Sequence, residues 1–229
     1  MAEITEVKTL EHLTAADAEK EGDRLLAENH QQQALEYFQQ ALKLFEAQAQ
    51  TTQLANVYLK IGNLYDSIHD TENALFNFME SLNLVTSVKD EQEIIRLKIK
   101  IGHFYQSIYQ FANSYEYFND ALNAALKINN SKLIQEGHYN LGNCLNWMED
   151  HNNAFLHLEK AAAIKTSDDL IGKRIYGSTA ILLYKMKDYQ RSLDYFNTAL
   201  ELNDKTNKDI SFRASILKSM GYAYFLSGK

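Results

Sequence analysis

The sequence contains no proline and only one cysteine, Cys144, among its 229 residues. Without proline, helices run uninterrupted and are expected to be joined by short turns. A single cysteine cannot form an internal disulfide. Because Cys144 lies in the apolar stretch NLGNCLNW, we interpret it as a small core residue rather than a nucleophile. Both scarcities favour a helical protein in a reducing compartment.

The sequence also has fewer positively than negatively charged residues and lacks long apolar runs. The chain has 23 Lys and Arg against 30 Asp and Glu, a formal net charge of −7. General nucleic-acid binders and proteins that dock on anionic membranes are expected to be basic, so both partner classes are disfavoured. No stretch of about 18 apolar residues could cross a bilayer, and the N-terminus has no signal-peptide core. We predict a cytoplasmic protein whose partner is a protein or peptide, with no nucleic acid and no membrane.

Motifs for catalysis and metal binding are missing from the sequence. The seven histidines form no HExxH, no Cys/His cluster has metal-ligand spacing, and no serine sits in GxSxG. His151 and His157 are six positions apart, on different faces of one predicted helix, so we expect neither to be a ligand. The glycines never form GxGxxG. We therefore predict a non-catalytic protein with no catalytic residues, no metal site and no cofactor.

The sequence does carry a repeat of small and large residues at fixed spacing. A glycine recurs every 40 residues, a small residue follows 12 positions later, and a large apolar residue follows four after that. The glycines are Gly22, Gly62, Gly102 and Gly142; the small residues are Ala34, Ala74, Ser114 and Ala154; the large residues are Phe38, Phe78, Phe118 and Leu158. A fifth unit aligns at Ala180, Ser192 and Phe196, and a sixth begins at Gly221.

Each repeat unit has the pattern of two helices. Tyr58, Ile61 and Tyr65 share one helical face, and Ala74 with Phe78 belongs to the next apolar stripe. Polar residues between the two stripes predict a turn, so each unit is expected to be an antiparallel helix pair. A lone pair cannot bury both stripes, and neighbouring units must stack. The glycine is expected where the two helix axes cross, because it permits close approach.

Polar residues ahead of several helices predict helix caps. Two Thr-x-x-Asp segments match a capping box, and two aspartates stand where second helices are expected to begin. The boxes are Thr14 with Asp17 and Thr166 with Asp169, and the single caps are Asp70 and Asp188.

This pattern resembles the tetratricopeptide repeat (TPR) family, whose signature has small residues at three positions and aromatic or aliphatic residues at four. In the second unit the small residues are Gly62, Ala74 and Ser81, and the large ones are Tyr58, Ile61, Tyr65 and Phe78. The resemblance covers about residues 14–229. The period of 40 and the absence of proline depart from the usual 34-residue repeat and are similar to the long variety found in spindle-orientation adaptors and bacterial regulatory proteins.

The resemblance implies an all-α fold, an α-solenoid of antiparallel helix pairs wound as a right-handed superhelix of about five and a half repeats. Residues 1–13 would form an N-terminal extension. The repeats would cover residues 14–54, 55–94, 95–134, 135–172, 173–213 and, in part, 214–229. Because the last repeat has only an apolar first helix, we expect either a fragment of a longer protein or self-association through that uncapped helix.

The resemblance also implies a peptide-binding groove lined by the first helices. Its positions lie at fixed offsets from each glycine, and asparagine amides and aromatic anchors there suit recognition of a peptide. These positions are Asp23, Asn56, Leu59, Asn63, Asp66, Arg96, Ile99, His103, Gln106, Glu136, Tyr139, Asn143, Asn146, Arg174 and Tyr184. Trp147 is either a further anchor or a packing residue between repeats. The carboxylate clamp of chaperone-binding members is not matched.

The leading hypothesis is a non-catalytic module that binds a peptide or helix of a partner protein in this groove. One alternative is a regulatory or sensory input domain of a larger signalling protein with a kinase, cyclase or transcription-regulator output. Another is a self-association module. Glu19, Asp23 and Asp66 make the first two repeats acidic, so we expect a basic end of the ligand to face them.

Overall fold

The computed structural model describes residues 13–165 and 169–227, apart from the side chain of Asp169. Across these residues it contains eleven α-helices and no strand, which confirms the predicted all-α fold of helix pairs. The helices are α1 (Ala15–Ala27), α2 (Gln31–Ala47), α3 (Thr51–Ser67), α4 (Thr71–Val88), α5 (Glu91–Ser107), α6 (Phe111–Lys127), α7 (Ser131–Trp147), α8 (His151–Ala163), α9 (Asp169–Lys185), α10 (Tyr189–Lys205) and α11 (Ile210–Leu226).

Helix pairs follow one another along the chain, from α1–α2 to α9–α10, and α11 comes last. The pairs after the first begin at Thr51, Glu91, Ser131 and Asp169. Each start lies four residues before the predicted repeat boundary, because the pattern of small and large residues begins only after the first helical turn. The right hand of the superhelix stays a prediction.

Residues with a left-handed backbone follow nine of the eleven described helices, all but α8 and α11. Asp70 shows the pattern: its N–H donates to the carbonyl of Tyr65 (2.9 Å), and His69 before it has a φ of 61°. This six-to-one hydrogen bond closes a helix C-terminus in the Schellman manner, where glycine is usual. The left-handed positions here hold other residues: Asn29, Ala49, His69, Lys89, Tyr109, Asn129, Glu149, Lys187 and Lys208.

The recurring glycines lie where paired helices touch. A Cβ added at Gly62 would lie 2.6 Å from the ring of Phe78 and 3.3 Å from the carbonyl oxygen of Ala74. At Gly102 the added atom would lie 2.5 Å from the Phe118 ring. Real Cβ atoms do not approach this closely, so each large residue packs directly on a bare glycine. This contact offsets the roughly 1 kcal/mol of helix propensity that glycine loses to alanine.

Caps form at three of the predicted places. The Asp17 N–H donates to Thr14 Oγ1 (3.1 Å), the Asn73 N–H to Asp70 Oδ1 (3.2 Å) and the Arg191 N–H to Asp188 Oδ1 (3.3 Å). The predicted box at Thr166 and Asp169 lies outside the described residues. The caps of α7 and α8 are Asn130 and Asp150.

The chain divides into two compact units, residues 1–97 and 98–229, and the boundary falls within α5. In the first unit α1 to α4 pack in chain order around a core that includes Phe38 and Ile61. In the second unit α6 to α11 also pack in chain order, and the first helix α9 contacts the first helices α7 and α11 as well. The first helices α7, α9 and α11 therefore lie side by side.

No described helix combines the length and apolar character needed to cross a membrane.

Candidate functional site

A pocket of about 340 Å³ opens in the second unit where α5 and α7 end. We call it the aromatic pocket. Its lining residues come from the last turn of α5, the following turn, the start of α6 and the end of α7. They are His103, Gln106, Ser107, Tyr109, Phe111 and Trp147.

Three of these aromatic rings, those of Tyr109, Phe111 and Trp147, form successive ring contacts at the protein surface. Trp147 stacks on Phe111 with ring centroids 5.9 Å apart and planes within 5°, and Tyr109 meets Phe111 edge-on at 6.1 Å. Trp147 is 58% exposed and Tyr109 is 77% exposed. The sequence left open whether Trp147 is an anchor or packs between repeats; its ring does pack on Phe111 of the preceding helix pair, yet most of its surface stays exposed. Large aromatic side chains that are held in place yet exposed are the residue type that dominates binding energy at interfaces.

Two cations lie over aromatic rings on the neighbouring first helices. The Nζ of Lys185 from α9 lies 5.7 Å from the centroid of the Trp147 ring and donates to Asn146 Oδ1 (3.1 Å). The guanidinium carbon of Arg174 lies 5.1 Å from the centroid of the Tyr139 ring. Cation–π contacts of this kind contribute about 0.5–1 kcal/mol at exposed sites. The aromatic surface therefore has a positively charged edge.

His103 contributes a neutral ring to the pocket. The residue is exposed, but its ring meets Phe118 edge-on with centroids 5.0 Å apart. Desolvation of the ring lowers the pKa of His103, the positive charges of Arg174 and Lys100 lower it further, and a hydrogen bond with Gln106 opposes the shift. A lowered pKa favours the uncharged imidazole at neutral pH, which suits a pocket for an apolar group.

The predicted groove residues of the second unit have different degrees of exposure. Ile99 and Tyr139 are buried, at 5% and 9% exposure, so most of their surface is used in packing. His103 and Gln106 line the aromatic pocket. Arg174 is exposed, and the half-buried positions are Glu136, Asn143, Asn146 and Tyr184.

The predicted groove residues of the first unit are polar except for Leu59, and the charge of Asp23 is neutralised by Lys60. Lys60 Nζ contacts both Glu19 Oε1 (2.6 Å) and Asp23 Oδ2 (2.7 Å). Burial disfavours the charged lysine, but hydrogen bonds with the two carboxylates outweigh it and raise the pKa of Lys60. Glu19 and Asp23, two of the three carboxylates expected to face a basic ligand end, are therefore already paired with a lysine of the same chain. The exposed positions are Asp23, Asn56 and Arg96, and the half-buried ones are Leu59, Asn63 and Asp66.

Tyr109 and Phe111 were absent from the predicted site, although a signal for them exists. The equivalent positions forty residues earlier hold His69 and Thr71. An aromatic pair on both sides of a turn, where another repeat has polar residues, indicates a local surface role rather than a requirement of the fold.

A pair of histidines joins α7 to α8 in the same unit. The Nδ1 atoms of His138 and His157 lie 3.1 Å apart, and the rings are tilted by 54°. Burial, the neighbouring His157 and Lys160 lower the pKa of His138 to about 4, and burial with Lys160 also lowers the pKa of His157. The sequence compared His157 with His151, whereas the contact is with a residue on the preceding helix.

The described residues give little indication of a larger metal cluster or of a cysteine nucleophile. They contain no group of three or more histidine, cysteine or acidic side chains arranged to hold a metal ion. Cys144 is buried, and burial raises the pKa of its thiol, which makes it a poor nucleophile at neutral pH and fits its predicted core role.

Residues 133–205, which span α7 to α10, match the family described as Tetratricopeptide repeat. This part of the chain therefore carries the TPR pattern. The resemblance predicted from the sequence is therefore confirmed, while its assignment to the long 40-residue variety stays a prediction.

Solved structures share the fold of this chain at low sequence identity. The apo form of RapI is 16% identical with a TM-score of 0.80, over 93% of this chain and 64% of that one. The Rap conjugation gene regulator of plasmid pLS20, in complex with the Phr* peptide, is 18% identical with a TM-score of 0.68, over 88% and 56%. The Podospora anserina putative kinesin light chain TPR-like repeats are 12% identical with a TM-score of 0.68, over 85% and 96%.

This chain spans less than two thirds of the length of either Rap protein. No curated protein matches its sequence.

Proposed function

We propose that this TPR protein is a non-catalytic interaction module that binds a peptide or helix of a partner protein on the first helices of its second unit. The observation that carries the proposal is the aromatic pocket, where Trp147 is 58% exposed while stacked on Phe111. The pocket volume of about 340 Å³ suits one or two large side chains of a ligand.

The stacked rings favour binding because part of its entropic cost is already met by the fold. Trp147 has a ring partner in Phe111 and a cation partner in Lys185, so its side chain is held before any ligand arrives. Pre-organised aromatic groups lose little side-chain freedom on binding. Covering them removes apolar surface from water at roughly 25 cal/mol per Å². The ligand is therefore expected to place an aliphatic or aromatic anchor in the pocket.

The charges near the pocket define the residues beside that anchor. Lys185 lies over Trp147, and Arg174 is exposed on the same first helix. A ligand with an acidic residue next to its apolar anchor complements Lys185, and a second acidic residue about three helical turns away complements Arg174. Three other predicted positions of this unit, Asn143, Asn146 and Tyr184, offer amide and hydroxyl groups to a peptide backbone.

The comparison with solved structures supports a peptide rather than a small molecule as the ligand. The Rap regulator of pLS20 shares the fold and its structure holds the Phr* peptide. The predicted groove positions of the first unit are proposed to bind the same class of ligand with lower affinity, because they lack exposed aromatic residues.

The test is selection from a phage-displayed library of random 12-residue peptides on the purified chain, followed by fluorescence anisotropy with the enriched peptides. We expect enriched sequences to share an apolar anchor beside Asp or Glu. Trp147→Ala is expected to weaken their binding at least tenfold, as for a central interface aromatic.

Phe76→Ala is the matched control, because Phe76 is also 58% exposed but lies on α4 of the first unit. Its affinity is expected to equal that of the unchanged protein. Peptides that bind Trp147→Ala as tightly as the unchanged protein would refute the proposal, and so would a library that yields no binder. Circular dichroism of each variant checks that the helices persist.

Self-association is a second candidate, supported by the apolar surface of α11. Phe225 is 79% exposed, and Tyr222 and Leu226 are 54% and 48% exposed. Exposed apolar residues clustered on one helix are typical of a contact surface. Sedimentation velocity at increasing concentration, with Phe225→Asp as the variant, tests this candidate: a chain that stays monomeric at the highest concentration rules it out. A regulatory input role within a longer protein remains an alternative proposal.

A further inference from the structure

We propose that His138 and His157 form a two-histidine site for a divalent transition-metal ion, which ties α7 to α8. The proposal does not depend on peptide binding, because neither histidine lines the aromatic pocket. It rests on the distance between two ring nitrogens, on the helices that hold them and on the ligand chemistry of imidazole.

The nitrogen–nitrogen distance is that of two ligands on one metal ion. Nδ1 of His138 and Nδ1 of His157 are 3.1 Å apart. Two imidazole nitrogens, each about 2.0–2.1 Å from a metal, lie about 2.9 Å apart at a right angle and about 3.3 Å apart in a tetrahedron. The observed separation falls between these values. A small rotation of the two rings brings both lone pairs onto one ion.

The packing of the two helices holds this distance, because the pair lies beside a direct contact between α7 and α8. His138 precedes Gly142 by one helical turn, and His157 is adjacent to Leu158. A Cβ added at Gly142 would lie 2.7 Å from Leu158 Cγ, so α7 and α8 touch directly at this level. Both histidines are half-buried, which limits their motion while part of each side chain stays in contact with solvent.

Without metal, the two nitrogens share one hydrogen, which one Nδ1 donates to the other. Metal binding requires that hydrogen to move to Nε2 of the same ring, so that both Nδ1 atoms present lone pairs. Each imidazole remains neutral in this change of tautomer, and the charge of the site rises by that of the ion. Water molecules complete the coordination, since no third His, Cys, Asp or Glu joins the pair among the described residues.

Imidazole nitrogen selects the class of ion. It suits Zn²⁺, Ni²⁺ and Cu²⁺, whereas Mg²⁺ and Ca²⁺ prefer oxygen, and Cu²⁺ binds most tightly in the general order of first-row ions. Lys160 lies one turn beyond His157, and its positive charge opposes the ion. The affinity is therefore expected to be that of a two-ligand site and to increase when the charge of Lys160 is removed.

The test is isothermal titration of the untagged chain with Cu²⁺, and separately with Zn²⁺ and Ni²⁺. We expect one equivalent to bind and the melting temperature to rise with metal concentration, because the ion binds only the folded pair. His138→Gln and His157→Gln are each expected to weaken binding at least tenfold and to abolish the rise in melting temperature. Lys160→Gln is expected to tighten binding severalfold.

His69→Gln is the matched control, because His69 is an exposed histidine in the α3–α4 turn and has no partner of this type. Its metal binding is expected to equal that of the unchanged protein. Paramagnetic resonance of the Cu²⁺ form supplies an independent count, with two equivalent ring nitrogens expected. The proposal is overturned if no one-equivalent binding occurs, if either glutamine variant binds as the unchanged protein does, or if the spectrum reports a single nitrogen.

Discussion

At equivalent turn positions, the first unit has His69 and Thr71, whereas the second unit has Tyr109 and Phe111. The backbones are alike, since φ is 61° at His69 and 62° at Tyr109. The helices on both sides also begin forty residues apart. The repeat therefore fixes the backbone and leaves the turn side chains free to differ. In the second unit those side chains form an aromatic pocket.

The first helices of the two units differ in the same way. Lys60 in the first unit is held by Glu19 and Asp23, so the charges on that surface are satisfied internally. Lys185 in the second unit lies over the exposed ring of Trp147. In the first unit this surface carries ion pairs within the chain. In the second unit it presents aromatic side chains with positive charges beside them. This contrast favours the second unit as the principal place for a ligand.

The largest expected effect concerns what the units share. Gly62→Ala and Gly102→Ala should each lower the free energy of unfolding by about 1–3 kcal/mol, because the added methyl group overlaps a phenylalanine ring. Gly221→Ala in α11 is the control, since an added Cβ meets nothing within 4 Å, and it should stabilise by about 0.5–1 kcal/mol. Urea unfolding followed by circular dichroism measures all three. If Gly102→Ala stabilises the protein as Gly221→Ala does, the close-contact explanation is wrong.

A second prediction separates stability from binding at the turns. Tyr109→Asn should raise the free energy of unfolding by about 0.5–1 kcal/mol, because asparagine tolerates a left-handed backbone better than tyrosine. The same change should weaken the binding of peptides selected for the aromatic pocket, because Tyr109 lines that pocket. His69→Asn, at the equivalent position of the first unit, should stabilise similarly and leave peptide affinity unchanged. Thermal unfolding and fluorescence anisotropy measure the two properties. Equal peptide affinities for both variants would contradict the assignment of binding to the second unit.

The smallest expected effect concerns the two lysines. Lys60→Met should change the free energy of unfolding by no more than about 1 kcal/mol, because the ion pairs are partly exposed and screened. It should not alter peptide affinity. Lys185→Met should weaken the binding of acidic peptides and make their affinity less dependent on salt concentration. Titrations at several NaCl concentrations decide between these outcomes, and identical salt dependence for both variants would remove the proposed role of Lys185.

Much of the fold was predictable from residue spacing. Gly62, Ala74 and Phe78 recur with their equivalents in phase, and each large residue packs on its glycine. Caps such as Asp70 were also predictable, because they depend on local hydrogen bonds. The candidate site was less accessible to sequence reasoning. The groove positions counted from each glycine included Ile99 and Tyr139, which are buried. They did not include Phe111, which lies at the start of a second helix.

The sequence by itself determined the helices, their order and the small residues at which they meet, because these depend on periodicity and on side-chain size. Only the tertiary structure decided which distant residues meet: Trp147 with Phe111, Lys60 with Glu19 and Asp23, and the two facing histidines. Helical periodicity assigns a residue to a face, whereas contact between residues on different helices depends on how those helices pack.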